Sequence, residues 1–217
     1  MEATNPKLEK KLVDGREYRA MKLEIRADPP EGDTDGQKIV EGYATTFNQL
    51  YTLYEGKSYK LLEKVDPHAF DECDMSDVIF QYDHTGRVFA RTKNNTLKLE
   101  TDASGLKITA DLGGTEIGRQ LYDEIRGGYT DKMSFGFIVG EDKRESTEDY
   151  ENGIITVVRT ITKFKKLYDV SAVSIPANDA TSISARNFFN GVIEEMEAER
   201  LARANTAARI RIKLMGV

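Results

Sequence analysis

The chain has 217 residues, 39% of them hydrophobic and 31% charged, with a formal net charge of −6. Its length suits one β-rich domain with appendages, no apolar run reaches the roughly 18 residues of a membrane-spanning helix, and interleaved charges of acidic balance argue against nucleic acid as a partner. A lone Cys73 forms no internal disulfide, and with only two histidines neither a structural zinc site nor any other metal or cofactor is expected.

Residues 1 to 15 are charged and aperiodic. They read as a mobile leader without the apolar stretch of a secretory signal, so the chain is expected to stay in the cytoplasm. Alternation over Tyr18–Ile25 predicts a first strand, and Ile39–Phe47 a second that forms a hairpin with it across the loop Pro29–Gly36. Asp66, followed by Pro67, predicts a short helix over 66–72. The apolar strand Val78–Tyr82 then delivers His84 at its end. Thr96–Thr101 and Leu106–Leu112, joined by Asp102-Ala103-Ser104-Gly105, form the clearest hairpin.

Thr115 is positioned to cap a helix carrying Ile117, Leu121 and Ile125, which Gly127-Gly128 ends. Met133–Val139 predicts a strand holding Ser134, and two β-rich runs, Ile154–Thr162 and Leu167–Ile175, flank the basic Lys163–Lys166. About seven strands result. From Ser182 the spacing of Phe188, Val192 and Met196 becomes helical. The chain thus divides into a leader (1–15), a folded domain (16–182) and a helical tail (183–217), either packed on the surface or swapped to a partner.

Acyl transfer needs a nucleophile, a base, a group that orients the base and donors for an oxyanion. Only His68 and His84 offer imidazole, and His84, at a strand end before Thr85-Gly86-Arg87, is the better base. Ser134, a small polar residue between Met133 and Phe135 with Gly136 nearby, is a candidate nucleophile. Neither stands out alone, since strand-end histidines are commonly surface residues and strand serines commonly bond a neighbouring carbonyl. Asp169 lies in the apolar run Leu167–Val173, where it either accepts from His84 or faces solvent with Ser171. Cys73 lies among Asp71, Glu72 and Asp74, which would raise its thiol pKa.

An ordered series of segments carries a resemblance over about residues 18 to 186. It comprises Ile39-Val40-Glu41-Gly42-Tyr43-Ala44 with Phe47-Asn48; Pro67-His68-Ala69-Phe70; the strand ending in His84; Thr96-Leu97-Lys98-Leu99 with Asp102 and Gly105-Leu106; Met133-Ser134-Phe135-Gly136-Phe137; and Asp169-Val170-Ser171-Ala172-Val173-Ser174-Ile175-Pro176-Ala177-Asn178. In this order they resemble the prohead maturation proteases of tailed bacteriophages, related in fold to the herpesvirus assemblins. The sequence departs from that pattern at Asp169, where Glu is common, at Thr85, where Asp is frequent, and at His68, where Gly is usual.

The resemblance implies a β-rich α+β fold in which a closed or partly closed, mostly antiparallel β-barrel carries peripheral helices. It implies a serine endopeptidase with Ser134 as nucleophile, His84 as general base and Asp169 orienting the imidazole, with oxyanion donors around Ser174 to Asn178. Its substrates would be major capsid protein and scaffold segments, and the chain itself, inside the assembling prohead in the host cytoplasm. A homodimer follows only by analogy with the related fold. The C-terminal helix, with Arg200, Arg203, Arg209, Arg211 and Lys213, is either a docking or removable tail or a solvated helix packed on the barrel. Two rivals stand beside this. One is a non-catalytic β-barrel virion or scaffold component, which a Ser134–His84 separation well beyond roughly 4 Å would favour. The other is a ligand-binding β module using exposed Tyr51, Tyr54 and Tyr59.

Overall fold

A computed structural model of the protein describes residues 16–21, 38–149 and 151–174, and four further positions, Ala198, Ala202, Asn205 and Thr206, which are helical and exposed. The expected leader and nearly all of the expected tail lie outside the described residues. Among these, ten strands and one α-helix follow in chain order: β1 Glu17–Met21, β2 Ile39–Thr46, β3 Tyr51–Glu55, β4 Tyr59–Val65, β5 Ile79–Tyr82, β6 Thr85–Arg91, β7 Leu97–Thr101, β8 Gly105–Asp111, α1 Glu116–Arg126, β9 Lys132–Asp149 and β10 Ile154–Val173.

β10 organises the larger sheet because its 20 residues span more than one partner. Along one edge it pairs antiparallel with β9, which pairs with β1. Its other edge is shared, residues 155–161 pairing in parallel with β4 and residues 169–172 with β5. β3 and β6 then flank β4 and β5, giving a seven-stranded mixed sheet. A second sheet has the order β2-β8-β7.

Four expectations are corrected. The fold is β-rich, but neither sheet closes into a barrel among the described residues, because β4 and β5 fan from one long strand rather than continuing around a cylinder. The two runs flanking Lys163–Lys166 are one strand, which accommodates the basic segment by register irregularities between Ile161 and Asp169. Residues 66–72 form successive turns rather than a helix. The cap signal there operates, Asp66 Oδ1 accepting from the His68 amide at 2.9 Å, but the Ala69 carbonyl accepts instead from the Phe164 amide at 2.8 Å. The expected pairing of the first two strands is also replaced: β1 joins β9 and β2 joins β8.

The β7–β8 hairpin and α1 form as their sequences specify. Thr115 Oγ1 accepts from the Gly118 amide at 3.0 Å, and α1 buries Leu121, Tyr122 and Ile125. The main core lies between the sheets and α1, joining Val40, Leu106 and Ile108 to Phe80, Met133, Phe135, Phe137 and Val170.

Candidate active site

Strand alternation and packing aim Ser134. Met133, Phe135 and Phe137 are fully buried in the core, with ring centroids 4.6 Å apart for Phe135–Phe137 and 4.9 Å for Phe137–Phe164. Burial of three such side chains contributes roughly 5–9 kcal/mol, and a one-residue slip would turn them all outward. Ser134 therefore faces away from that core. In register it lies between Ala20 of β1 and Ser171 of β10.

His84 is carried by a two-residue hairpin turn closed by the Tyr82–Thr85 pair. Asp83 and His84 have φ of 47° and 56°, the left-handed combination of a type I′ turn, where Asn-Gly is the favoured sequence. A histidine there is strained and persists because its surroundings hold it. The Asp83 amide donates to the Ala172 carbonyl at 2.9 Å, and Asp83 Oδ1 accepts from the Ser174 amide at 3.1 Å. Tyr18 meets the imidazole edge-on at 4.6 Å between centroids.

Asp169 shares the face of Ser134 and Ser171, so the first of its two sequence alternatives is the one adopted. Its Oδ1 lies 2.5 Å from His84 Nδ1, and His84 Nε2 lies 2.5 Å from Ser134 Oγ. Gly136 makes this possible, because a Cβ there would stand 2.3 Å from Asp169 Oδ2 and 2.6 Å from the Tyr18 ring. The small residue that the sequence suggested for close approach is approached by the carboxylate. Ser134 and Asp169 are 1% and 3% exposed, and the His84 side chain 15%, so a desolvated pair opens to solvent chiefly at the imidazole.

Three contacts were not anticipated. Ser171 Oγ donates to Asp169 Oδ1 at 2.9 Å and lies 3.2 Å from His84 Nδ1. Ser134 Oγ is 2.8 Å from the Arg19 carbonyl oxygen. Tyr18 packs on both His84 and Gly136. Only strand parity could have pointed to Ser171, two residues from Asp169; the β1 contacts depend on a pairing with β9 that local sequence does not encode.

The remaining candidates stand apart. His68 is 82% exposed and pairs with Asp71 at 3.1 Å. Burial, more than neighbouring Asp74, pushes the Cys73 thiol up to about 11. Tyr51 donates to Glu63, while Tyr54 and Tyr59 pack against Leu61 and Val157, so these tyrosines form no exposed cluster. Among the described residues no group of His, Cys, Asp and Glu could hold a metal ion, and no helix is long and apolar enough to cross a membrane. Within the expected oxyanion segment the Ser174 amide already serves Asp83, and residues 175–178 lie outside the described residues.

On the opposite face of the same strands lies a second buried polar group. Arg19 Nε donates to Glu63 Oε1 at 2.7 Å, and Arg159 donates to Glu63 and Glu17 at 2.9 Å and to Asp142 at 2.6 Å. Burial alone would raise the Glu17 carboxyl, but Arg19 and Arg159 outweigh it and hold it down at about 2. Burial alone would likewise lower the Arg19 guanidinium, which Glu63 and Glu17 raise instead.

A serine, an imidazole and a carboxylate in hydrogen-bonded series on a strand-rich scaffold are the working groups of serine hydrolases. The model of the caudovirus prohead serine protease family matches residues 21–197, and the chain belongs to that family. The match covers most of the expected domain and runs into the expected tail. No curated protein and no solved structure matches the chain.

Proposed function

We propose that this family member is an endopeptidase that cleaves capsid-protein and scaffold segments, and its own chain, inside the assembling prohead, with Ser134 as nucleophile, His84 as general base and Asp169 as the group that orients the base. The supporting observation is the unbroken series Asp169–His84–Ser134, with both links at 2.5 Å. Ser134 Oγ attacks the scissile carbonyl carbon while His84 Nε2 takes its proton, and the imidazolium returns that proton to the leaving amine. Water then releases the acyl group by the same route in reverse. Asp169 keeps the ring proton on Nδ1, leaving Nε2 free to accept, and stabilises the imidazolium. Main-chain amides of the segment around Ser174 to Asn178 are the candidate oxyanion donors by analogy with the related fold, and confinement with substrate raises its effective concentration. The peptidase unit spans 16–182, and a homodimer follows only by analogy with the related fold.

Co-expression with the capsid protein of the same phage tests this. Wild type is expected to shorten the capsid protein and itself, and Ser134→Ala neither. Unchanged processing by Ser134→Ala would remove the nucleophile assignment, and absence of processing by the wild type would favour the non-catalytic virion component.

A further inference from the structure

We propose that Ser171 is a positioning residue, whose hydroxyl fixes the Asp169 carboxylate in the orientation that faces His84; the proposal builds on the catalytic assignments above. Ser171 is fully buried and sits directly across from Ser134 in the β9–β10 register. Two residues from Asp169 on one strand, it shares that residue's face. A carboxylate with a single hydrogen bond can turn about its last torsion and exchange its oxygens, which are equivalent in isolation. Here they are not equivalent. Oδ1 accepts from His84 Nδ1 at 2.5 Å and from Ser171 Oγ at 2.9 Å, while Oδ2 rests against the backbone of Gly136, with no room for a Cβ. The Ser171 donor and the glycine floor grip the carboxylate from two sides.

Proton bookkeeping agrees. Nδ1–H and the Ser171 hydroxyl both point at Oδ1, so an ionised Asp169 satisfies both donors. The Ser171 oxygen, 3.2 Å from Nδ1, is a second acceptor on the same side of the ring and also favours the tautomer with its proton on Nδ1. For packing alone alanine would serve, since a buried hydroxyl costs free energy unless it finds a partner. The partners it finds are the two groups that tune the base.

The test is covalent labelling of the full-length chain by a fluorophosphonate, resolved into maximal rate and half-saturation concentration, with proton NMR of the His84 ring N–H in parallel. Wild type, Ser171→Ala, Asp169→Asn and the corresponding double variant are compared. Ser171→Ala is expected to lower the maximal rate by about tenfold to a hundredfold, as for loss of a hydrogen bond to a charged group, at unchanged half-saturation, and to displace the ring N–H resonance. In the Asp169→Asn background the same change should cost less than about twofold, because positioning acts through the carboxylate. A Ser171→Ala rate within about twofold of wild type, or a drop that persists in full without the carboxylate, overturns the proposal. If wild type is not labelled, the peptidase assignment fails. The resonance then decides alone: displacement in Ser171→Ala supports the positioning contact, and an unmoved signal overturns it.

Discussion

The sheet formed by β1, β9 and β10 buries a polar group on each face, and the two groups are built to opposite ends. On one face Glu17, Arg19, Glu63, Arg159 and Asp142 are joined as acids and guanidiniums, every link an ion pair between fixed charges. On the other, Ser134, His84, Asp169 and Ser171 form a series with one carboxylate and an imidazole able to gain or lose a proton. Arginine stays charged at any physiological pH, so the first group keeps its protons, whereas the second can pass them along. Burial of polar side chains is therefore a poor marker of chemistry by itself. What separates the two faces is whether a proton has somewhere to go.

The comparison predicts that substitutions on the serine face change rate with little change in stability, and the reverse on the arginine face. Ser134→Ala should abolish fluorophosphonate labelling. His84→Ala should slow it on the order of 10³–10⁴-fold, and Asp169→Asn by a factor about a hundred smaller than that, all with melting temperatures near wild type. Glu63→Gln leaves two buried guanidiniums short of their shared counter-charge, and urea unfolding should register a loss of about 3–5 kcal/mol.

Acid should dissect the same face. The Glu17 carboxyl is depressed from its ordinary 4.5 to about 2, so its contribution is complete above pH 4.5 and disappears as pH falls towards 2. That contribution is of order 3 kcal/mol, and Glu17→Gln should flatten the wild-type stability profile across this window. Gly136→Ala crosses the divide, pushing on Asp169 Oδ2 and Tyr18 from within β9. It should lower labelling about tenfold and cost about 1–3 kcal/mol by overpacking. His68→Ala, at an exposed residue that pairs with Asp71 and belongs to neither group, should alter neither quantity measurably.

Much of the serine face is legible in the sequence alone. With two histidines in the chain, scarcity points to His84, and the order of motifs to Ser134. Asp169 was ambiguous because period-two alternation fits either face; β9 resolves it by turning Met133, Phe135 and Phe137 into the core. The arginine face was illegible. Arg19, Glu63 and Arg159 are far apart in sequence, and each sits in a run whose alternation also suits solvent exposure. Their meeting depends on β1 pairing with β9 and on β4 running parallel to β10, neither of which has a local signature. The sheet's failure to close has the same origin, since nothing in the run from Ile154 to Val173 announces one strand serving two neighbours.

Ser134 has one hydrogen and two acceptors within reach, His84 Nε2 and the Arg19 carbonyl. The hydroxyl can satisfy only one at a time, and attack on a peptide requires that it be the imidazole. The competing acceptor is main chain, so no exchange of the side chain at position 19 deletes it. Evolution can weaken that competitor only by moving the strand, and the strand is riveted through Arg19 to the charges beneath. The competition for the Ser134 hydrogen is thereby written into backbone geometry.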